Sequence, residues 1–153
     1  MDKPFSQLNF FETTVKMPLM KLPVRSVVVN YKQQESILLS PGSRLSDEQY
    51  KSMGKIQTVV APSFLHCAGV PQALQHNPNS KTWGPRGIRS YRPQVRWDHE
   101  FGVDVWPYDD ELLHLPLKGI KKIKEVVFLH RPSGTLIVTD LCFHLQNVNG
   151  WGA

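Results

Sequence analysis

A chain of 153 residues, 41% hydrophobic and 20% charged, is long enough for one packed domain and too apolar for a disordered one. No stretch approaches the ~20 apolar residues of a membrane-spanning helix, residues 1–5 lack the layout of a secretory signal, and the expected compartment is the cytoplasm. Two cysteines, Cys67 and Cys142, are too few for a disulfide-framed secreted domain, and a net charge of +5 leaves room for an anionic partner.

Residues 1–20 contain Pro4 and Pro18 in a mixed composition and are expected to form an irregular or edge-covering arm. Arg25–Tyr31 and Ser36–Leu39 read as strands, joined by a turn at Lys32–Glu35 that lacks the usual Gly or Asn. Ser40-Pro41-Gly42 breaks the sheet. Ser46-Asp47-Glu48-Gln49 is a capping box that opens a helix, and Gly54 closes it. Ile56–Ala61 is a buried strand ended by Pro62. Val70–His76 is a short helix with Pro71 in its first turn, stopped by Asn77-Pro78. Lys81–Trp83 is a short strand. Residues 84–110, with Pro85, Pro93 and Pro107 and no clean period, read as a long loop or insertion. Leu112–Leu117, Glu125–His130 and Thr135–Thr139 are strands, the last two joined by Arg131-Pro132-Ser133-Gly134. The run 126–139 is so apolar that burial on both faces is expected. Strands, helix, strand, short helix and strands in that order predict an α/β layered sandwich with mixed sheets, a single domain over residues 1–153.

Charge is laid down in blocks. No Asp or Glu occurs from Gln49 to Trp97, and an acidic block runs from Asp98 to Glu111. Within the basic stretch 81–97, Arg86, Arg89 and Arg92 interleave with Trp83, Tyr91 and Trp97. That pattern could grip an anion or single-stranded nucleic acid. The ordinary explanation is favoured over nucleic acid: the rings pack a long loop, and the arginines pair with the acidic block.

Two loops carry chemistry. His66 follows the strand ending at Ala61, and Asp140 ends the last strand. If that strand's direction persists, Asp140, Cys142 and His144 share one side. Carboxylate, thiolate and imidazole all ligate zinc or iron. Against this, such residues also serve as hydrogen-bonded caps, and Cys packs as a small hydrophobe.

The segments Ser36–Gly42, Thr58–Pro71 and Glu125–Phe143 resemble the metallo-β-lactamase-fold superfamily. The resemblance implies a four-layer αββα sandwich holding metal at one edge of its sheets, here with a C-terminal layer that is short or incomplete. The superfamily's T-H-x-H-x-D-H run matches Val60–His66, where His66 alone is kept and Ala61, Ser63 and Leu65 replace the other ligands. Gly69-Val70-Pro71 resembles the helix entry that follows. Leu115–Gly119 matches the P-G-H-T turn without its histidine. Val138-Thr139-Asp140 matches the T-G-D that supplies a bridging carboxylate. The implied activity is a hydrolase-like one with a degenerate metal site: one zinc or iron ion on His66, Asp140 and His144 acting on an ester or phosphoester, or catalysis lost. Cys142 and His130 are alternative third ligands. The implied substrate is an unidentified small molecule. No membrane is involved, and a second copy of the chain is expected to cover an exposed sheet face.

Overall fold

The computed structural model describes residues 5–142. Its central strands are apolar on both sides because each side meets a different layer. In β2 (Met20–Tyr31), Val27 and Val29 face one core while Val28 faces another. In β3 (Glu35–Leu39), Leu38 joins Val28 in the first core, and Ile37 and Leu39 join Val27 and Val29 in the second. In β4 (Thr58–Val60), Val60 and Val59 divide in the same way. The two-residue period of a strand turns these short apolar runs into two cores.

A six-stranded mixed sheet runs in the order β1 (Leu8–Met17), β2, β3, β4, β5 (Lys81–Gly84), β6 (His99–Glu100). Strands β1 to β3 pair antiparallel and β3 to β6 parallel. The first core lies between this sheet and α1 (Asp47–Met53), α2 (Val70–His76) and α3 (Ile88–Tyr91), through Tyr50, Met53, Val70, Ala73 and Ile88. The capping box forms as read: Gln49 N–H donates to Ser46 Oγ, and Ser46 N–H to Gln49 Oε1. The second core lies between the large sheet and an antiparallel sheet of β7 (Leu112–Pro116), β8 (Val126–His130) and β9 (Thr135–Ile137). The described residues thus build three layers, one of helices and two of sheet. Among them no helix is long and apolar enough to cross a membrane.

Three expectations need correction. Residues 1–20 cover the edge of the sheet but not as an irregular arm, since β1 pairs with β2 from Leu8↔Val29 to Met17↔Met20. Pro18 sits in the hairpin turn rather than interrupting a strand, and β1 is an edge strand with only Leu8 buried, so no apolar period marks it. Residues 84–110 are not merely a loop. They supply α3, β6 and a ring cluster in which Trp83, Phe101, Trp106 and Tyr108 pack with centroids 4.8–5.1 Å apart. Burial pushes the Tyr108 phenol up to about 12, and its oxygen meets Thr58 Oγ1 and Glu35 Oε2, each at 2.8 Å. Finally, the run 126–139 is not buried throughout. Strand β8 is, but β9 is an edge strand and Leu136 is 53% exposed.

His130 closes β8, fully buried. Its Nδ1 donates to Ser133 Oγ (2.7 Å), whose own proton goes to Thr135 Oγ1 (2.7 Å), while Nε2 is buried with no partner. Burial holds its pKa below the ordinary imidazole value. On acidification the unfolded chain therefore takes up a proton before the folded one does. The stability His130 contributes is full above about pH 6.5 and is lost as pH falls through the lowered folded value. The urea midpoint of the natural chain is expected to drop between about pH 7 and pH 5 more than that of a His130→Leu variant. Parallel drops would contradict this.

Candidate functional site

Strands β3 and β4 run parallel and end side by side, so the segments leaving them meet at one rim of the sandwich. Ser40 leaves β3 in the left-handed region, at φ 52°. Its backbone is held there by Ser40 N–H donating to the Val60 carbonyl (2.9 Å) and by Ser26 Oγ donating to the Ser40 carbonyl (2.9 Å). This twist places Ser40 Oγ 2.9 Å from His66 Nδ1. The loop after β4 is closed by Ser63 Oγ, which accepts the His66 N–H at 3.2 Å. Gly69 lets the start of α2 press on the Pro41-Gly42 backbone, which keeps the two loops together.

Asp140 arrives from the other sheet. Glu125, 1% exposed at the foot of β8, accepts the Thr139 N–H (2.7 Å) and hydroxyl (3.1 Å) on one oxygen, Oε1. The Val126 N–H donates to the Pro62 carbonyl at 2.7 Å, which fastens the foot of β8 to the β4 loop. Asp140 then lies with Oδ1 3.4 Å from His66 Nε2 and Oδ2 accepting from Ser63 Oγ at 3.1 Å. Both side chains are mostly covered, at 23% and 13% exposure.

The site residues read from sequence divide clearly. His66 and Asp140, 74 residues apart, are brought together. His144 lies outside the described residues. Cys142 is exposed, and Cys67 is buried with Sγ donating to the Phe64 carbonyl at 3.0 Å. His130 stands at the far end of β8, about 13 Å along the strand from Val126, and belongs to a separate network. Three supporting residues, Ser40, Ser63 and Glu125, escape the reading of the sequence as ligands. Glu125 carried a signal, since a carboxylate directly before a buried apolar strand needs a partner.

In the basic stretch, Arg89 spends its guanidinium on the Trp97 and Asp98 carbonyls (3.2 and 2.8 Å). Arg96 pairs with Asp98 at 3.6 Å. Arg92 is half-buried, and its carbonyl accepts the Trp97 indole N–H. Trp83 and Trp97 are buried, which removes them as stacking platforms for bases. Arg86 is exposed beside a cavity.

No family model and no curated protein matches this sequence. Solved structures do. A metallo-β-lactamase from Pontibacter korlensis superposes with a TM-score of 0.65 at 13% identity, over 82% of this chain. The chain has the metallo-β-lactamase fold. The metallo-β-lactamase FIM-1 from Pseudomonas aeruginosa, in its mono-zinc form, superposes with a TM-score of 0.51 at 14% identity over 80% of the chain. The chain spans 63% and 60% of those two proteins.

The metal centre of this fold can be tested against the residues present. Two donors about 2.1 Å from one ion at the tetrahedral angle stand about 3.4 Å apart, and Nε2 of His66 and Oδ1 of Asp140 stand 3.4 Å apart. The pair fits one edge of one ion's shell. A second centre does not fit, because Ala61, Ser63 and Leu65 offer no imidazole or carboxylate. Among the described residues no group of three His, Cys, Asp or Glu side chains converges. The order Ser40, His66, Asp140 also resembles a hydrolase relay. Ser40 is only 5% exposed, however, so its hydroxyl supports the imidazole rather than meeting a substrate.

Proposed function

We propose that this metallo-β-lactamase-fold protein holds a single zinc or iron ion on His66 and Asp140, with His144 as the third protein ligand, and acts as a mononuclear hydrolase of an ester or phosphoester. The observation that carries the reading is the 3.4 Å spacing of Nε2 and Oδ1, each ligand being steadied by a serine on its other polar atom. A bound ion would supply a water of lowered pKa and polarise the scissile carbonyl or phosphoryl oxygen. The chain's own residues do the rest. With Nε2 left free for a ligand bond, Nδ1 carries the ring proton and donates it to Ser40 Oγ, which sets both tautomer and ring plane. Ser63 occupies Oδ2 of Asp140 and leaves Oδ1 as the free donor. Glu125 fixes the backbone one residue before Asp140 and so fixes where that carboxylate stands.

The fold tolerates a single ion elsewhere, as the mono-zinc form of the Pseudomonas aeruginosa enzyme illustrates. Metal analysis of protein purified without chelator tests the reading. Roughly one ion per chain is expected, with loss of that ion in His66→Ala and in Asp140→Ala. Ser40→Ala should weaken metal binding about tenfold to a hundredfold, since it removes only the group behind the ligand. Equal metal content in the natural chain and both ligand variants would overturn the proposal. Full metal content with no turnover of aryl esters or aryl phosphoesters would leave a binding site without catalysis.

A further inference from the structure

A cavity of about 270 Å³ opens between the segment after β5 and the loop that joins β7 to β8. Its walls are apolar, formed by Phe101, Leu117, Ile120 and Val126. Its lining also includes Arg86, Lys121 and Lys124, all exposed. Among the described residues none of these three has a carboxylate partner. Of the three, Lys124 is held in place. Lys124 adopts φ 53°, its N–H donates to the Ile120 carbonyl at 2.9 Å, and its ammonium lies 6.0 Å over the Phe64 ring. The Phe64 N–H donates to the Ile123 carbonyl (2.9 Å), so this loop is stitched to the one that carries His66.

Glu125, which also lines the cavity, is buried, in contrast to the three exposed cations. One of its oxygens is bound to Thr139, and the other, Oε2, is buried without a partner among the described residues. Carboxyl oxygens inside and cations outside give the cavity a polarity. An apolar body gains by entering it, while an anionic head is opposed at the inner end and attracted at the mouth.

We infer that this cavity binds a small amphipathic anion, a medium-chain acyl or single-ring body bearing one carboxylate or phosphate, with its head held outward by Arg86, Lys121 and Lys124. The inference needs no metal, so it stands or falls apart from the reading of His66 and Asp140. It uses Arg86 of the basic stretch and neither Arg89 nor Arg92.

Octanoate, octyl phosphate, octanol and octylammonium are the probes, titrated into ¹⁵N-labelled protein. Octanoate or octyl phosphate should shift the Gly102 and Gly119 amides, which line the cavity from two different segments. Octanol should bind more weakly and octylammonium not at all. An Arg86→Gln/Lys121→Gln/Lys124→Gln variant should bind the anions about tenfold more weakly while its melting temperature stays unchanged, since exposed charges contribute little to folding. Added salt should weaken anion binding in the natural chain. Octyl phosphate binding without octanoate would assign the head group as phosphate. Octanol binding as tightly as the anions, shifts confined to residues elsewhere, or an unaffected triple variant would each overturn the inference.

Discussion

Gly69→Ala is expected to lower the melting temperature by about 6–12 °C, from a loss of about 3 kcal/mol. The backbone conformation at Gly69 is ordinary for an L-residue, at φ −86°, so the cost is one of space. A Cβ there would lie 2.0 Å from the Pro41 carbonyl oxygen and 2.7 Å from the Gly42 carbonyl carbon. Both are backbone atoms, so no side chain can swing aside and the segments must part. The segment displaced is the one that positions Ser40 against His66, so the damage reaches the site as well as the fold. The imidazole signals of His66 should shift in the variant, whereas those of His99, paired with Asp104 on another strand, should not. Calorimetry and histidine NMR check both halves. A melting temperature within about 2 °C of the natural chain would show that α2 and the β3 turn do not touch as described.

The parts of this fold that obey local rules are visible in the chain. Ser46 and Gln49 announce α1 because a capping box acts within four residues, and Pro71 and Asn77 bound α2 for the same reason. The buried strands β3, β4 and β8 are visible because both of their faces are apolar. What hides is what depends on a partner strand. Strand β1 is an edge strand with polar residues on its open face, and only its register with β2 makes it a strand. The β2–β3 turn places Lys32 and Gln33 at φ 47° and 56°, a left-handed pair for which the sequence offers no Asn or Gly. The salt bridge from Lys32 to Asp110, at 2.7 Å, ties that turn to a segment 78 residues away, a contact no window of sequence could display.

The site divides along the same line. His66 and Asp140 are legible because each follows a strand that is itself legible, and strand ends are where such folds place their chemistry. Their meeting is not local. It depends on Ser40, Ser63 and Glu125, which read in sequence as a turn residue, a replaced ligand and the first residue of a strand. The same three residues hold His66 and Asp140 in their relative places. Each of the two side chains is fixed through its backbone or its second polar atom, so neither depends on further polar neighbours for its position.

Phe128→Ala is expected to cost about 3–5 kcal/mol, and Leu136→Ala less than about 1 kcal/mol, although both positions belong to the same apolar run. The difference follows from where each strand sits. Phe128 is fully buried on the middle strand of the small sheet, with ring centroids 5.6 Å from Phe101 and 5.8 Å from Trp106. Truncating it removes the ring on which residues from the 84–110 segment close the second core. Leu136 stands on the edge strand, faces outward and pairs with Leu129. Urea denaturation of both variants at one pH measures the contrast. Where Phe128→Ala does not fold, Phe128→Leu retains most of the volume and should cost about 1–2 kcal/mol. Equal losses at Leu136 and Phe128 would mean that the outer face of the small sheet is as deeply covered as the inner one. The asymmetry between β8 and β9, and with it the layer order of the sandwich, would then be wrong.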